Sequence, residues 1–153
     1  LEAGQDSGIP FHVAKNHNER EILAMKHTPS GMSAFQNKIY YPKKITGERV
    51  SGFHNTYKRL EWDKPCKART TNNGNIGSHN NVHPGYKCPD GTYSDARVLT
   101  LLELFLVSSL PKDWNPPKTS SDNLLRQIIG EGIPPKMCYE IIKPLIQSNK
   151  SLS

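Results

Sequence analysis

The residues whose types are best suited to binding or catalysis are polar and cluster between positions 59 and 78. Arg59 is followed by Arg69 and by the hydroxyl and amide side chains of the segment 70–78, which is also rich in glycine. An arginine can bind guanine through two hydrogen bonds, whereas hydroxyls and backbone amides bind phosphates. Glycine lets the backbone approach a ligand closely. The pattern therefore fits contact with a nucleic acid, although on its own it fits an ordinary strand–turn–strand unit with a surface arginine better.

A metal site is the second chemistry that the residue types allow. His79 and His83 are four residues apart, and Cys66 and Cys88 lie on either side of them. Structural zinc sites usually take paired cysteines two residues apart, with the histidines on a helix. Neither feature is present, because the two cysteines are far apart in sequence and the histidines lie in an asparagine- and glycine-rich loop. We therefore predict no metal ligand in this chain.

Four helices and a long irregular region are expected to position these residues. Asn18 and Glu21 form a helix-start signal, and Thr100 with Glu103 forms a capping box ahead of an apolar stretch. A further helix is predicted over residues 121–129, ending on Gly130. The last helix is expected to start at Pro134-Pro135 and to end or kink at Pro144.

The region from residue 32 to 57 has no helical period. Its apolar residues are mostly β-formers, separated by Pro42, Gly47 and Gly52. Short strands joined by turns are therefore predicted. The following segment 71–85 is dominated by Asn, Ser and Gly, and we expect it to be a mobile surface loop that contributes little to a core.

Composition limits the classes of function. The chain has 153 residues and a formal charge of +6, from 20 Lys and Arg against 14 Asp and Glu. A basic excess of this size favours polyanions, nucleic acid first, although a merely basic soluble surface has the same composition. Three cysteines at unrelated spacings give no disulfide framework, which favours a cytoplasmic location. Neither a signal peptide nor an apolar stretch long enough to span a membrane is evident.

Three ordered blocks of this sequence resemble the closing signature blocks of DNA cytosine-5 methyltransferases. The first matches the family pattern in its arginine, tryptophan, proline, threonine and histidine positions, which here are Arg59, Leu60, Trp62, Asp63, Pro65, Thr70, Ser78, His79, His83 and Pro84. Ala68 stands where the family usually has a threonine. In the family this block organises the target recognition domain, so the resemblance implies DNA contact by Arg59 and Thr70.

The second and third blocks follow in the family's order. The second matches at Arg97, Leu99, Thr100, Glu103, Ser109, Leu110, Pro111, Asp113 and Trp114, and the third at Gln127, Gly130, Ile133, Pro134 and Pro135. In the family the third block lies beside S-adenosylmethionine. The resemblance therefore implies a cofactor-binding role for Gly130, Glu131 and Gly132, with Glu131 at the usual asparagine position. A carboxylate there can accept hydrogen bonds from ribose hydroxyls or from an ammonium group.

The family's catalytic blocks have no counterpart in this chain. Its nucleophile is a cysteine in a Pro-Cys-Gln context, accompanied by Glu-Asn-Val, and its cofactor fingerprint is rich in glycine. Cys66 follows Pro65 but precedes Lys67, and no Glu-Asn-Val accompanies it. We therefore assign no catalytic residue to this chain, even though nearby lysines can activate a thiol.

These observations lead to a fold and a function as expectations. We expect a mixed α/β (α+β) fold in which residues 1–114 form a small, strand-rich target recognition lobe. Residues 115–153 are then C-terminal helices that dock on a separate catalytic domain or subunit and complete its cofactor site. The expected partners are duplex DNA and that catalytic part, with no membrane. The residues predicted to contact DNA are Arg49, His54, Asn55, Arg59, Arg69, Thr70, Thr71, Asn72, Asn73 and Ser78, with Lys43 and Lys44 as further candidates.

The expected function is the DNA-recognition part or subunit of a restriction–modification cytosine-5 methyltransferase that uses S-adenosylmethionine and is inactive alone. Two alternatives remain open. The chain can be a stand-alone sequence-specific DNA-binding module derived from a methylase, or a basic protein-interaction domain unrelated to DNA. The apolar face of the last helix, formed by Met137, Ile141 and Leu145, favours docking on a catalytic domain. Salt-dependent binding to duplex DNA would distinguish the protein-interaction domain, which should not show it, from the two DNA-binding hypotheses.

Overall fold

The computed structural model describes residues 1–111, 113–117 and 119–150. Four α-helices and one short 3₁₀-helix are present in this part of the chain. In chain order they are α1 (Glu19–Lys26), a 3₁₀-helix (Ala34–Gln36), α2 (Leu101–Val107), α3 (Asp122–Glu131) and α4 (Pro135–Lys150). The long segments between them are turns and irregular backbone.

The helix-start predictions are confirmed by the capping contacts. The Asn18 side chain accepts a hydrogen bond from the backbone of Glu21 at 3.0 Å. Thr100 and Glu103 cap α2 reciprocally, because the Glu103 carboxylate accepts from the Thr100 amide at 2.7 Å while the Thr100 hydroxyl accepts from the Glu103 amide. These local hydrogen bonds satisfy amides that have no partner inside the helix.

Two helices extend beyond the ends predicted for them, and the kink predicted as the alternative at Pro144 stays a prediction. The helix predicted to end on Gly130 continues to Glu131, with Gly132 as the capping residue. The last helix does not end at Pro144 but continues to Lys150. Proline removes one hydrogen bond and crowds the preceding turn. The surrounding side chains of this helix are exposed, so α4 has space to accommodate the ring.

The prediction that residues 1–114 form a strand-rich recognition lobe is wrong. Within the described residues the β-type pairing is limited to isolated bridges, such as Ser33 with Lys58 and Thr56 with His79. Arg59 is one example of how this backbone is satisfied, because its guanidinium binds the backbone carbonyls of His83 and Asp95 in the irregular region. Side-chain hydrogen bonds and turns thus satisfy this backbone in place of a continuous ladder.

Two clusters of buried side chains form the core. The first joins α1 to the irregular region and consists of Ala24, Met25, Ala34, Ile76, Val82, Ala96 and Val98. The second joins α2 to α3 and consists of Leu99, Leu101, Leu104, Phe105, Leu125 and Ile129. Ile76 is fully buried, so the segment 71–85 contributes to the core, contrary to the prediction from its composition.

The C-terminal helices differ in how they attach to the body. α3 packs against α2 through the second cluster, although the predicted domain boundary near residue 114 separates the two helices. α4 leaves most of its apolar side chains exposed, including Met137 and Ile141. In the described part of the chain, the helices lack the combination of length and apolar content needed to cross a membrane.

Candidate nucleic-acid interface

An open polar cleft of about 790 Å³ lies between three segments of the chain. One wall is the stretch 15–18 ahead of α1, the second is the loop 71–75, and the third is the exposed side of α3. Its lining consists of amide, hydroxyl and charged side chains. The cleft brings together Thr71 and Asn72, which are predicted to contact DNA, and Glu131, which is predicted to contact the cofactor.

The loop 70–75 is attached to α3 by a buried pair, Asn73 and Arg126. The Asn73 amide donates to the carbonyl of Arg126 at 2.8 Å and to that of Thr70 at 2.9 Å. In return, Arg126 donates to the carbonyls of Asn73 and Leu99. Both side chains are 1% exposed, so these hydrogen bonds are shielded from water. Asn73 therefore stabilises the loop, and its buried side chain is not accessible for the predicted DNA contact.

Gly130 brings the same loop even closer to α3. A Cβ atom at this position would lie 2.5 Å from the carbonyl carbon of Thr70 and 2.6 Å from the amide nitrogen of Thr71. Real Cβ atoms do not approach backbone atoms so closely, so a larger residue would displace the loop. The closeness of the two backbones explains why the helix carries a glycine here, where glycine lowers helix stability.

Lys15 supplies positive charge next to the loop 71–75, because a Cβ atom at Gly74 would lie 2.9 Å from its ammonium nitrogen. Its ammonium group donates to the Asn123 side chain at 2.7 Å and lies 3.2 Å from the Asp122 carboxylate. Asp122 also accepts from Arg126 at 2.8 Å. One carboxylate thus faces two cations.

His17 lines the cleft as a neutral imidazole. Burial and the positive charges of Lys15, Arg126 and Arg97 lower the pKa of His17 to about 4. Its Nε2 atom accepts a hydrogen bond from the Val98 amide at 3.3 Å, so the proton of the neutral ring lies on Nδ1. The side chain thereby connects the cleft wall to the segment that leads into α2.

The three residues predicted to bind the cofactor do not share one surface. The Glu131 side chain is exposed at the cleft, where one of its oxygens accepts from Gln127 at 3.0 Å. Gly130 packs against the Thr70–Thr71 backbone. Gly132 lines a separate apolar cavity of about 100 Å³ beside Pro134 and Pro135. Of the three, only Glu131 presents a polar side chain to the cleft.

Arg59, the leading residue of the first signature block, is fully buried. Its guanidinium donates to the carbonyls of His83 at 2.8 Å, Met25 at 3.0 Å and Asp95 at 3.1 Å. Burial lowers the pKa of Arg59 to about 10, which leaves it charged at neutral pH. Because the Arg59 side chain has no solvent-accessible surface in this fold, it is not available for the predicted DNA contact. The side chain instead connects α1 to the irregular region.

Arg69, Thr70 and Ser78 are also more enclosed than a DNA surface requires. The Arg69 guanidinium donates to the carbonyls of Lys67 and Asn80, and burial lowers its pKa. The Thr70 hydroxyl is buried without a hydrogen-bond partner among the described residues. Ser78 is 8% exposed. By contrast, Thr71 and Asn72 are exposed on the cleft side of the same loop.

The remaining predicted DNA contacts form a second exposed surface. Arg49, His54 and Asn55 all lie on exposed turns of the irregular region. The Arg49 guanidinium donates to the Phe35 carbonyl at 2.6 Å and lies over the Tyr41 ring at 4.6 Å. These contacts fix the orientation of Arg49 while its charge remains at the surface.

Several cleft residues were missed by the sequence prediction, among them Lys15, His17, Asn75, Asn123 and Arg126. None belongs to a motif of fixed spacing. Lys15 and Asp122 are 107 positions apart, and Asn73 and Arg126 are 53 apart. The only signal available was the position of Arg126 beside Gln127 of the third block.

Comparison with known proteins accounts for the arrangement of the signature blocks. The family model described as C-5 cytosine-specific DNA methylase matches residues 6–147. This chain belongs to the C-5 cytosine-specific DNA methylase family. The chain is also similar to the Type II methyltransferase M1.HgaI of Avibacterium volantium, with 46% identity over 149 residues. Membership in this family confirms the resemblance drawn from the three blocks.

The match to M1.HgaI covers 97% of this chain but only 42% of that relative. The chain therefore spans less than half the length of this methylase. No solved structure matches the chain. The cleft, α3 and α4 all lie inside the segment that matches the methylase family, apart from the last residues of α4.

Proposed function

We propose that this chain is the DNA-recognition part of a DNA cytosine-5 methyltransferase whose chemistry resides in another domain or subunit. One observation carries the proposal. Thr71 and Asn72 of the recognition block border the same cleft as Glu131 of the block that the family uses beside its cofactor. Residues predicted to contact DNA and a residue predicted to contact the cofactor thus line the same cleft.

The cleft has the chemistry that duplex DNA requires. Thr71 and Asn72 offer exposed hydroxyl and amide groups to phosphates or base edges. Lys15 adds positive charge beside Gly74 of the same loop, and the whole chain carries +6. Counterion release then makes the affinity fall steeply with salt concentration.

S-adenosylmethionine fits the acceptor character of the cleft at the end of α3. The exposed Glu131 carboxylate would accept hydrogen bonds from the hydroxyls or the ammonium group of this cofactor, with Gln127 holding it in position. When bound, the cofactor supplies the methyl group. Gly130 contributes indirectly, because its packing against Thr70 sets the distance between the cofactor wall and the DNA loop.

The catalytic part is proposed to dock on α4. Six large apolar side chains of this helix are between 43% and 63% exposed: Met137, Tyr139, Ile141, Ile142, Leu145 and Ile146. Water-exposed apolar surface of this extent marks an interaction site. The whole enzyme would turn a cytosine out of the duplex and methylate it with a cysteine supplied by the docked part. The chain would act with that part in the cytoplasm.

A stand-alone DNA-binding module is the second candidate. The exposed cleft and the basic charge support this candidate as well as they support the methyltransferase part. The exposed face of α4 favours the methyltransferase, because a free-standing module gains nothing from an uncovered apolar helix.

Binding to duplex DNA at increasing salt concentrations tests the DNA side of the proposal. Fluorescence anisotropy of the wild type and of Lys15→Ala and Asn72→Ala gives affinity and its salt dependence. We expect both variants to bind about tenfold more weakly, and Lys15→Ala to reduce the salt slope by about 1. Lys87→Ala removes the same charge from an exposed site outside the cleft and should change little. Equal losses in all three variants would contradict the proposed interface.

A further inference from the structure

The three most exposed large apolar side chains among the described residues lie close together in sequence. Ile45 is 85% exposed, Phe53 is 77% exposed and Ile39 is 71% exposed. All three belong to the region that precedes the first signature block. Exposure of single apolar residues is ordinary, but three extremes within fifteen positions are consistent with a contact surface.

The charge around these side chains identifies the kind of partner. Between residues 38 and 58 the sequence has one carboxylate, Glu48, and five basic residues: Lys38, Lys43, Lys44, Arg49 and Lys58. Glu48 lies 3.1 Å from the Lys44 ammonium, so its charge is locally balanced. Apolar side chains among cations fit a polyanion that also has apolar faces. Duplex DNA has both, through its phosphates and its bases.

The backbone presents Ile45 and Phe53 on two tight turns. The first is a small hairpin in which Lys43 pairs with Arg49 and the Val50 amide donates to the Pro42 carbonyl, with Ile45 at its tip. The second turn is closed by the Thr56 amide, which donates to the Phe53 carbonyl at 3.0 Å.

Phe53 is directed outward by the packing of its neighbour. A Cβ atom at Gly52 would lie 2.6 Å from the Phe35 ring, so the backbone before Phe53 sits directly on that ring. Phe35 is 8% exposed and fills the inner side of this turn. The Phe53 ring thus has a rigid base beneath its backbone and solvent around its side chain.

The Phe53 turn is attached to residues 77–80, which directly follow the loop 71–75. The Asn80 amide donates to the Asn55 carbonyl at 2.8 Å, and Thr56 pairs with His79. A Cβ at Gly77 would lie 3.2 Å from the Tyr57 ring, which holds the two segments side by side. The Phe53 turn is therefore fixed to residues 77–80, the continuation of the loop 71–75 that borders the cleft.

We propose that Phe53 is a specificity-determining residue whose ring packs against the bases of the recognised DNA site. The inference rests on the proposed function, because it requires that the chain binds duplex DNA. His54 and Asn55, exposed beside the ring, supply the polar contacts of the same turn. The ring contributes apolar or stacking contact that depends on the base sequence, unlike the lysines, which bind phosphates of any sequence.

The test uses the enzyme assembled from this chain and its catalytic part. Selection from a pool of randomised duplexes gives the preferred site, and anisotropy gives Kd for that site and for a shuffled duplex. We expect Phe53→Ala to raise Kd for the preferred site about tenfold, with the Kd for the shuffled duplex and the salt slope unchanged. Phe53→Tyr should keep most of the discrimination. Leu23→Ala, which removes a half-exposed apolar side chain from α1, is the matched control.

Each outcome bears on the inference. Discrimination retained in Phe53→Ala, or lost equally in Leu23→Ala, would overturn it while leaving DNA recognition by the chain intact. A wild type that selects no sequence would overturn the inference as well. Methyl transfer is measured separately on the same samples, so selective binding without methylation would contradict only the proposed enzymatic role.

Discussion

Gly130 of α3 lies directly against the backbone of Thr70, with no room for a Cβ atom between them. The two residues come from different signature blocks, 60 positions apart in sequence. Their contact fixes the loop that carries Thr71 and Asn72 relative to the helix that carries Glu131. The proposed DNA and cofactor walls of the cleft are therefore one rigid arrangement.

Gly130→Ala should disturb this arrangement. The added Cβ would overlap the Thr70–Thr71 peptide, so the loop must move or the helix must shift, at a cost of about 3 kcal/mol. Urea unfolding of this chain measures the loss. Gly132→Ala is the matched control, because its Cβ would lie 3.2 Å from its nearest neighbour, the Ile128 carbonyl oxygen. Equal stability of the two variants would contradict the close contact.

Arg59 is expected to affect stability and not DNA affinity. Arg59→Lys removes the planar guanidinium that binds the carbonyls of Met25, His83 and Asp95, and should lower the free energy of unfolding by about 3 kcal/mol. Arg49→Lys makes the same change at an exposed site and should lower it by less than about 1 kcal/mol. Normal stability and weakened DNA binding of Arg59→Lys would contradict this structural role. That result would support the DNA contact implied by the family resemblance.

Stability should fall as the pH is lowered from about 6.5 towards 4. Burial, followed by the charge of Arg97, lowers the pKa of His83 to about 4, whereas the unfolded chain takes up its proton near 6.5. The unfolded state therefore binds more protons in this window, and protonation favours unfolding. For His83 alone the loss approaches about 3 kcal/mol. His17 acts in the same direction.

His83→Asn tests this pH dependence. The side-chain oxygen of the introduced asparagine can take the place of Nδ1 of His83, which accepts from the Gly85 amide at 3.1 Å. We expect a flatter curve of stability against pH between 6.5 and 4, measured by thermal unfolding. His79→Asn changes an exposed histidine in the same segment and should leave the curve as in the wild type. A drop that persists unchanged in His83→Asn would place its origin elsewhere.

The exposed face of α4 should matter for assembly and not for folding. Ile141 is 61% exposed, so Ile141→Glu should leave the unfolding of this chain nearly unchanged. Association with the catalytic part, measured by calorimetry, should weaken about 30-fold or more. Glu140→Gln changes the neighbouring, exposed polar position and should bind normally. Normal association of Ile141→Glu would show that the partner docks elsewhere.

Local signals in the sequence predicted the helices well. The capping box of Thr100 with Glu103 and the cap at Asn18 are complete within four residues, so their chemistry is visible without the fold. Family resemblance rested on ordered blocks and was confirmed by the comparisons. The expected strands were wrong because β-forming residues specify strands only when a partner backbone is available along their length.

The candidate site was harder to predict, because it depends on contacts between distant segments. Arg59 is buried by carbonyls 24 to 36 positions away, and no local pattern indicates that burial. Asn73 and Arg126 are likewise 53 positions apart, and each side chain donates to the backbone carbonyl of the other only in the folded chain. Exposed members of the predicted set, such as Asn72 and Glu131, remain candidates for ligand contact.

The central claim is tested most directly by methyl transfer with separated components. Tritiated S-adenosylmethionine and duplex DNA are incubated with this chain, with a polypeptide carrying the family's Pro-Cys-Gln and Glu-Asn-Val blocks, and with both together. The proposed function predicts a one-to-one complex and labelled DNA only in the mixture. Labelling by this chain alone would contradict the assignment of the chemistry to another part. A complex that never labels DNA would contradict its role in a methyltransferase.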